Sequence, residues 1–566
     1  MKRIICIFLC LLLLLCGCHT ENTSKQTQKP SSTASSSAAT TEKNNPTNGI
    51  DPTTAQSGSS QHSTITTGGN SDTTTSKVTS TTTATTISPA PTCEHKDSNN
   101  DTVCDICRCS VIVTFDFYSI NDLHGKFADA DSNVGVDELT TYLKNARETD
   151  ENAIFLSAGD MWQGSSESNM TKGMILVDWM NALDFVAMTL GNHEFDWGEE
   201  YIAANAELAE FPFLAINIYD RKTNALADFC SPSIMVEGDG LQIGIIGAIG
   251  DCYSSIAVDK CDEVYFKTGH DLTSLVKAES DRLRQQGADF IVYVLHDGYG
   301  QSSSGQMSSS KLASYYDTSL SDGYVDLVFE GHTHQGYRIQ DDRGVYHLQN
   351  RGDNKGGISH VEISINAVTM ESNVLVAETV SIYTYQDLED DPIVEQLMTK
   401  YADMISPANR ILGFNARYRN SDTLLQIVAQ LYYELGETTW GDQYDIVLGG
   451  GFMSARSPYS LPAGEVSYGD LQSILPFDNQ LTLCSVKGSY LRSKFLETTN
   501  DRYYIYCGEY GNSIRNSIDP NATYYLITDS YTAYYAPNHL TVVEEYDPTV
   551  FARDLLADYI EAGKMS

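Results

Sequence analysis

The sequence Thr-Leu-Gly-Asn-His-Glu-Phe-Asp-Trp-Gly, residues 189–198, is the most informative segment of this 566-residue chain. An apolar run at 185–188 precedes it, and its loop places an amide, an imidazole and two carboxylates within positions 192–196. A buried strand that ends in a polar loop delivers side chains to a crevice at the carboxyl ends of an α/β sheet. The segment therefore predicts one strand of such a sheet and one loop of a functional site.

Four more apolar runs, at 112–119, 153–157, 290–295 and 325–329, also end in polar loops rich in carboxylates or histidines. Imidazole, carboxylate and amide ligands suit a divalent ion such as Zn, Mn or Fe. The five loops carry seven candidate ligands, which are too many for one tetrahedral ion and fit two ions that share a carboxylate. The candidates are Asp122, His124, Asp160, Asn192, His296, His332 and His334.

In this order, the motifs resemble those of the calcineurin-like metallophosphoesterases. They are Asp122-x-His124, Gly159-Asp160, Gly191-Asn192-His193-Glu194, His296 and Gly331-His332-Thr333-His334. Within that family the chain is similar to the secreted 5'-nucleotidases, which include UDP-sugar hydrolases and 2',3'-cyclic-nucleotide phosphodiesterases. The resemblance extends from about residue 111 to the C-terminus and is most specific in its first half.

The resemblance implies two divalent ions, Zn, Mn or similar, bridged by Asp160. One ion would be held by Asp122, His124, Asp160 and His334. The other would be held by Asp160, Asn192, His296 and His332. Such a pair lowers the pKa of a bridging water, so that hydroxide is present near neutral pH.

The resemblance also implies a catalytic pair, His193 and Asp196. His193 would stabilise the transition state or protonate the leaving group, and Asp196 would orient it and favour its donor form. The alternative for Asp196 is a carboxylate that caps the loop. Glu194 is assigned no catalytic role.

The first 92 residues predict export and a flexible stalk. Lys2 and Arg3 precede an apolar run at 4–15, shorter than the roughly 20 residues that cross a bilayer as a helix. The run ends in a sequence that resembles a bacterial lipobox, with Cys18 as the acylated residue, so 1–18 is interpreted as a lipoprotein signal peptide. An ordinary signal peptide is the alternative.

Residues 19–92, dominated by Ser and Thr and without aromatic residues, predict a disordered stalk. We therefore expect a lipid-anchored protein on the bacterial surface, outside the cytoplasmic membrane.

Residues 93–109 predict a small module with a structural role. Cys93-x-His95 and Cys104-x-x-Cys107 resemble the two halves of a zinc knuckle. Export also allows disulfides in this module. The Asp-x-Asn-x-Asp sequence at 97–101 is typical of a calcium loop, but the turn glycine and the final glutamate of such a loop are missing. Zinc and disulfides stay equal alternatives, and calcium ranks below them.

Strand and helix patterns alternate over 110–381, which predicts an α/β domain. The helical stretches lie at 136–149, 174–183, 199–210 and 272–286, and further strands at 211–220, 241–249 and 358–365. The resemblance implies a four-layer α/β/β/α metallophosphoesterase sandwich. Cys252 and Cys261 flank a short polar loop and would be able to pair in an oxidising compartment. A helix at 387–405, with Pro392 in its first turn, lies in the inter-domain segment 382–406.

Residues 407–566 predict a second α/β domain that binds the substrate. In the family, two aromatic residues sandwich the base and arginines hold the phosphate or ribose; Phe477, Tyr531 and Arg417 match these motifs. Stacking of a base on an aromatic ring contributes about 1 to 3 kcal/mol. The glycines at 449–451 are similar to a glycine motif of the family. The sequence departs from the family at Leu448, where Asn usually precedes those glycines, and the substrate-binding arginine expected soon after them is displaced to Arg456. The alternative for both aromatics is packing in the core.

Charge and motifs together lead to a functional prediction. With 36 basic and 75 acidic residues and a net charge of -39, the chain is unsuited to a nucleic-acid polymer. We expect a hydrolase that converts nucleoside 5'-monophosphates to nucleoside and phosphate by metal-activated water. One alternative is a 2',3'-cyclic-nucleotide phosphodiesterase or a UDP-sugar or dinucleotide pyrophosphatase; another is a catalytically silent surface-binding lipoprotein.

Overall fold

The computed structural model describes residues 93–127, 135–298, 324–341, 343–352, 357–451, 460–496, 504–508, 514–536 and 539–565. The predicted signal peptide with Cys18, the stalk and Arg456 lie outside these residues. Every described residue belongs to one compact unit, Thr85–Ser566. Within the described residues, no helix has both the length and the apolar character needed to cross a membrane.

The first part of the described chain contains fourteen strands. In chain order they are β1 (Ile112–Ile120), β2 (Ile154–Ser157), β3 (Ala187–Thr189), β4 (Phe213–Leu214), β5 (Ile218–Asp220), β6 (Ser233–Gly238), β7 (Leu241–Ile249), β8 (Val264–Phe266), β9 (Phe290–His296), β10 (Leu327–Glu330), β11 (Tyr337–Gln340), β12 (Tyr346–Gln349), β13 (Ile358–Asn366) and β14 (Ser372–Val380). The helices between them are α1 (Asp137–Thr149), α2 (Ser166–Thr171), α3 (Met174–Ala182), α4 (Glu199–Leu208) and α5 (His270–Gln285).

These strands form two six-stranded sheets, ordered β14-β13-β1-β2-β3-β4 and β11-β12-β10-β9-β7-β6. Strands β1 to β4 run parallel in the first sheet, and β7, β9, β10 and β12 run parallel in the second. Parallel strands end at the same edge of a sheet, so the predicted polar loops lie at common edges.

The two sheets pack face to face through one apolar core, to which Phe117 and Leu156 contribute from the first sheet and Ile245, Val292 and Leu327 from the second. Helices α1 and α3 cover the outer face of the first sheet, and α5 covers that of the second. Removing these apolar faces from water is the main favourable contribution to such a layered fold. The predicted α/β/β/α sandwich is confirmed.

The predicted strand at 211–220 is wrong as one continuous element, because the chain changes partners in its middle. Strand β4 joins the first sheet, whereas β5 pairs separately with β8. Between them, the N–H of Ala215 donates to Ser231 and the N–H of Ile216 donates to Gly247 of the second sheet. The Asn217 side chain then donates to the carbonyl oxygens of Ile249 and Lys267, which stabilises the crossing.

The disulfide considered for Cys252 and Cys261 is also wrong, because both thiols are free. The Cys252 thiol donates to the backbone oxygen of His296 over 2.9 Å, and the Cys261 thiol lies 3.6 Å from the backbone oxygen of Ala257. Each sulfur therefore contacts a different carbonyl group.

The predicted helix at 387–405 is shorter and divided into α6 (Pro392–Lys400) and α7 (Ala402–Ile405). Asp391 caps α6 by accepting the N–H of Ile393, and Pro392 occupies the first turn, as predicted. The preceding residues stay outside the helix because a proline disfavours helical backbone angles at the residue before it.

A second α/β fold follows. Its strands are β15 (Ile411–Asn415), β16 (Ile446–Gly451), β17 (Gly464–Ser467), β18 (Leu481–Lys487), β19 (Tyr504–Tyr506), β20 (Thr523–Asp529) and β21 (Leu540–Glu545). Its helices are α8 (Ser421–Trp440), α9 (Tyr468–Ile474), α10 (Gly488–Tyr490), α11 (Ile514–Ser517), α12 (Ser530–Tyr535) and α13 (Ala552–Glu561). The five-stranded sheet has the order β19-β16-β20-β18-β21, and α8 packs against it through Val428 and Tyr432. The predicted second α/β fold is confirmed.

Leu327 lies in the core between the two sheets. We expect Leu327→Ala to lower the free energy of unfolding by about 2 to 5 kcal/mol, because the protein loses the favourable burial of the leucine side chain and is left with a cavity in its place. Leu327 is 0% exposed, whereas Leu375 on β14 is 53% exposed. Leu375→Ala is therefore the matched control. Urea unfolding of both variants tests the prediction, and equal midpoints would contradict the assignment of Leu327 to the core.

Candidate metal centre and active site

All seven predicted ligands meet at the carboxyl ends of five strands. Two follow β1, one follows β2, one follows β3, one is the last residue of β9 and two follow β10. In that order they are Asp122, His124, Asp160, Asn192, His296, His332 and His334. The strand-end pattern of the sequence therefore identified a real cluster of side chains.

The first group of ligand atoms surrounds His124. Its Nε2 lies 3.0 Å from Nε2 of His334 and 3.9 Å from Oδ1 of Asp122. The same Oδ1 is 3.3 Å from Nε2 of His334, and Oδ2 of Asp160 is 4.0 Å from Nε2 of His124. Two imidazole nitrogens facing each other beside carboxylate oxygens form a set of donors that fits a divalent cation.

The second group surrounds Asn192, whose Oδ1 lies 2.9 Å from Nδ1 of His332 and 3.2 Å from Nε2 of His296. Oδ2 of Asp160 is 3.2 Å from Nε2 of His296. The same Asp160 oxygen therefore lies beside a histidine of each group. This geometry fits two cations with Asp160 between them.

Five of the seven ligands have a left-handed backbone conformation. The φ angles are 51° at Asp122, 51° at His124, 56° at Asp160, 72° at His332 and 54° at His334. Non-glycine residues adopt this region rarely, at a cost of order 1 to 3 kcal/mol each, and concentrate at functional sites. The loops are therefore shaped to aim side chains at a common centre rather than to minimise local strain.

Charge interactions inside the cluster are strong. Burial by itself would raise the pKa of Asp160, but the neighbouring His296, His193 and His124 hold it well below its usual range. Burial by itself would lower the pKa of His296, whereas the carboxylates of Asp160 and Asp122 raise it to about 10. The buried carboxylates therefore attract positive charge, which a bound cation would supply.

Glu194 supports two of the ligand loops, a role that the sequence analysis missed. Its buried carboxylate accepts the backbone N–H groups of Asp160 at 2.9 Å, Met161 at 2.8 Å and Gly191 at 2.7 Å. Burial, followed by the nearby Asp160, raises the pKa of Glu194 to about 7. Only its position one residue after His193 in the quoted motif signalled its importance.

Other supporting residues were also missed. The Asn121 side chain donates to Asp122 and to the Asn350 carbonyl, and Gln349 donates to the Gly331 carbonyl at 2.6 Å. Cys252 was considered only as a possible disulfide partner of Cys261, yet its thiol lies within 4.8 Å of ligand atoms of His296 and His332. Partners of this kind orient the groups that bind a metal.

The predicted catalytic pair is also assembled. Nδ1 of His193 lies 2.7 Å from Oδ2 of Asp196, and the His193 ring centroid is 5.2 Å from that of His124. The backbone N–H of His193 donates to Oδ1 of Asp160 over 2.8 Å. The imidazole therefore lies beside the ligand cluster, with Asp196 fixing one nitrogen and the other available to a substrate.

Of the four predicted substrate-binding residues, Phe477 lies next to the catalytic pair, with its ring centroid 6.1 Å from that of His193. Tyr531 is half-buried in the first turn of α12, and Arg417 is exposed after β15. Arg456 lies outside the described residues.

Ionic contacts hold the Phe477 segment against the first sandwich. Arg553 donates to the Phe477 carbonyl over 3.2 Å and pairs with Asp478. Asp478 in turn accepts from Nζ of Lys172 over 3.0 Å. Burial by itself would raise the pKa of Asp478, but Arg553 and Lys172 hold it below its usual value.

Comparison with known proteins agrees with this geometry. Residues 115–336 match the family described as Calcineurin-like phosphoesterase. Protein UshA of Yersinia enterocolitica is 24% identical over 77% of this chain and 88% of its own length. An apyrase of Tabanus yao is 30% identical, but the match spans 38% of each chain. The crystal structure of a 5'-nucleotidase precursor from Thermus thermophilus has a TM-score of 0.61 and 18% identity, and the match covers 80% of this chain and 97% of that one.

The fold and the ligand set define a metal-dependent phosphoester hydrolase. More particularly, the chain contains a calcineurin-like phosphoesterase domain and has UshA and 5'-nucleotidases among its homologues.

We expect Glu194→Gln to weaken Mn²⁺ binding about 10- to 100-fold. The Glu194 carboxylate accepts hydrogen bonds from backbone N–H groups of the ligand loops, whereas the NH₂ group of glutamine would face these donors and cannot accept from them. Calorimetric titration of the metal-stripped protein measures the effect. Glu200→Gln, an exposed charge change on α4, is the matched control. Equal affinities in the two variants would mean that Glu194 does not position the ligand loops.

Proposed function

We propose that the protein hydrolyses nucleoside 5'-monophosphates to nucleoside and phosphate at a site with two divalent metal ions. The observation that carries the proposal is the sharing of Asp160 between two ligand groups beside His193. The proposal also divides the chain into three parts. These are a metallophosphoesterase domain at 110–381, an inter-domain segment at 382–406 and a substrate-binding domain at 407–566. The long match to UshA supports that division.

The donor sets of the two groups fit such ions. Asp122, His124, Asp160 and His334 would hold one, and Asp160, Asn192, His296 and His332 the other. When bound, the ions supply an activated water and neutralise the charge on the phosphate oxygens. The backbone bonds to Glu194 keep the loops of Asp160 and Asn192 in place, so that the ligand oxygens need little reorganisation.

His193 has the geometry of an acid or a stabiliser of the leaving group. Its Nδ1 is held by Asp196, so its Nε2 can donate a proton or a hydrogen bond to the ester oxygen. The Asp196 carboxylate, 2.7 Å from Nδ1, fixes the orientation of the ring.

Phe477 supports a substrate with a flat apolar portion. Its ring lies next to His193, and its segment is anchored by Arg553 and Asp478. A nucleotide bound by its phosphate at the metal ligands would bring its nucleoside portion toward this ring, where stacking contributes about 1 to 3 kcal/mol.

The proposal also includes an extracytoplasmic location with a lipid anchor at Cys18. It is supported by the basic residues 2 and 3, the apolar run at 4–15 and the small residue before the cysteine. The net charge of -39 supports a small nucleotide rather than a nucleic-acid polymer as the substrate.

We expect the Mn²⁺-loaded protein to release phosphate from AMP, and His193→Asn to lower kcat about 10²- to 10⁴-fold with little change in metal content. The measurement is phosphate release, with metal content determined on the same samples. His270→Asn, an exposed histidine on α5, is the matched control.

The same assay on 2',3'-cyclic AMP and UDP-glucose separates the alternatives. Turnover of only these substrates would replace the 5'-nucleotidase assignment with a diesterase or a pyrophosphatase. No turnover of any substrate by metal-loaded protein would favour the silent binding protein.

For the aromatic contact, we expect Phe477→Ala to raise the KM for AMP about 5- to 100-fold, because the stacking surface is lost. The KM for p-nitrophenyl phosphate, which has no nucleobase, is the internal reference. Phe414→Ala, an exposed phenylalanine on β15, is the control variant. An equal loss on both substrates would show that Phe477 acts by packing against His193 instead of binding the nucleoside.

A further inference from the structure

We propose that Cys93, His95, Cys104 and Cys107 form a structural zinc site, separate from the proposed active-site metals. One ligand atom from each of these residues lies within 4.8 Å of the others. The sequence left zinc, disulfides and calcium open for this module. Four observations on the three-dimensional arrangement support zinc.

The interatomic distances are those of a tetrahedral zinc site. Zn–S bonds of about 2.3 Å and Zn–N bonds of about 2.0–2.1 Å, at tetrahedral angles, separate two thiolate sulfurs by about 3.8 Å and a sulfur from a nitrogen by about 3.6 Å. The observed separations are 3.8 Å between the sulfurs of Cys93 and Cys104, and 3.6 Å between the Cys107 sulfur and Nδ1 of His95.

The backbone holds the two halves of the site together. The N–H of Asp105 donates to the carbonyl oxygen of Lys96 over 2.6 Å, which joins the Cys-x-His half to the Cys-x-x-Cys half. Within the second half, the N–H of Arg108 donates to Cys104 and the N–H of Cys104 donates to Cys109, each over 2.9 Å. This tight turn brings the Cys104 and Cys107 sulfurs to one side.

The module lacks an apolar core of its own. Among residues 93–110, Cys104 alone is buried, and Ile106 is 59% exposed. Segments this short need a disulfide, a metal or another staple, because apolar burial does not offset chain entropy. Metal–ligand bonds supply that stabilisation in small zinc modules.

The alternatives fit the contacts less well. All the cysteines of the module have free thiols, and a bond between Cys93 and Cys104 would consume two of the four converging donors. For calcium, the Asp97 carboxylate already accepts the N–H groups of Asp101 and Thr102 over 3.0 and 2.8 Å. The acidic side chains therefore stabilise the loop itself, and soft thiolates are poor calcium ligands.

The site is continuous with the first strand of the sandwich. Val103 bridges to Ser110, and the N–H of Val111 donates to Thr102 over 3.0 Å, directly before β1 begins at Ile112. A bound zinc would fix this entry to β1. The proposed role is therefore structural.

Cobalt substitution of the full chain tests the proposal. Thiolate coordination gives Co²⁺ an intense ultraviolet charge-transfer band, which oxygen and nitrogen ligands do not give. We expect this band in the wild-type protein, its loss in Cys104→Ser and Cys107→Ser, and a fall in zinc content of about one ion per chain in both variants. Cys107→His, which keeps a nitrogen donor, should retain zinc with a weaker cobalt band.

The controls separate this site from the active site. The band should persist in Cys109→Ser, the exposed neighbour, in Asp160→Asn, which alters the proposed bridging ligand, and in Cys252→Ser, the thiol nearest His296. Loss of the band in Asp160→Asn or Cys252→Ser, with retention in Cys107→Ser, would overturn the proposal. Because the readout is spectroscopic, it does not depend on phosphate release, so failure of the proposed function would leave this test intact.

Discussion

The carboxylate of Asp160, buried between two groups of imidazole and amide ligands, is the constraint on which the rest of the structure depends. A buried charge without compensation costs several kcal/mol, so Asp160 and the equally buried Asp122 require positive partners. The nearest such partner is His296, whose Nε2 lies 3.2 Å from Oδ2 of Asp160 and whose pKa the carboxylates of Asp160 and Asp122 raise to about 10 against the opposing effect of burial. A cation that binds this folded cluster and not the unfolded chain stabilises the fold by an amount that grows with the logarithm of its concentration divided by its Kd.

The sandwich provides the rigidity that this constraint needs. Parallel strands deliver the loops to common edges, and their apolar faces are removed from water. The loops themselves adopt left-handed conformations that cost free energy, so something outside them must hold them. Glu194 does this by accepting N–H groups from both the Asp160 loop and the Gly191 loop, which links the ends of β2 and β3.

Much of the site was predictable because its signals are local: an apolar run, then Asp, Asn or His at the strand end. What was missed depends on tertiary contacts. Glu194 was set aside, since two of its partners lie 33 and 34 residues away in the chain. Cys252 was considered as a possible disulfide partner of Cys261 because the two flank a short loop, whereas its thiol contacts the carbonyl of His296. The strand break near Ala215 arises because the backbone changes hydrogen-bond partners between sheets, which no sequence period records.

In the second α/β fold, some residues that resemble the family are explained by packing, whereas Phe477 lies beside the catalytic pair. The glycines of β16 match a nucleotidase motif, yet a Cβ on Gly449 would lie 2.2 Å from the backbone nitrogen of Tyr433 on α8. That glycine is required for close packing of helix against strand and gives no information about ligand choice. Phe477 differs, because its ring lies beside His193 and ionic contacts through Asp478 reach Lys172 of the first fold. Under the proposed function, we therefore expect substrate preference to depend on the Phe477 segment. The altered residue at Leu448 lies in a buried strand and contributes to packing.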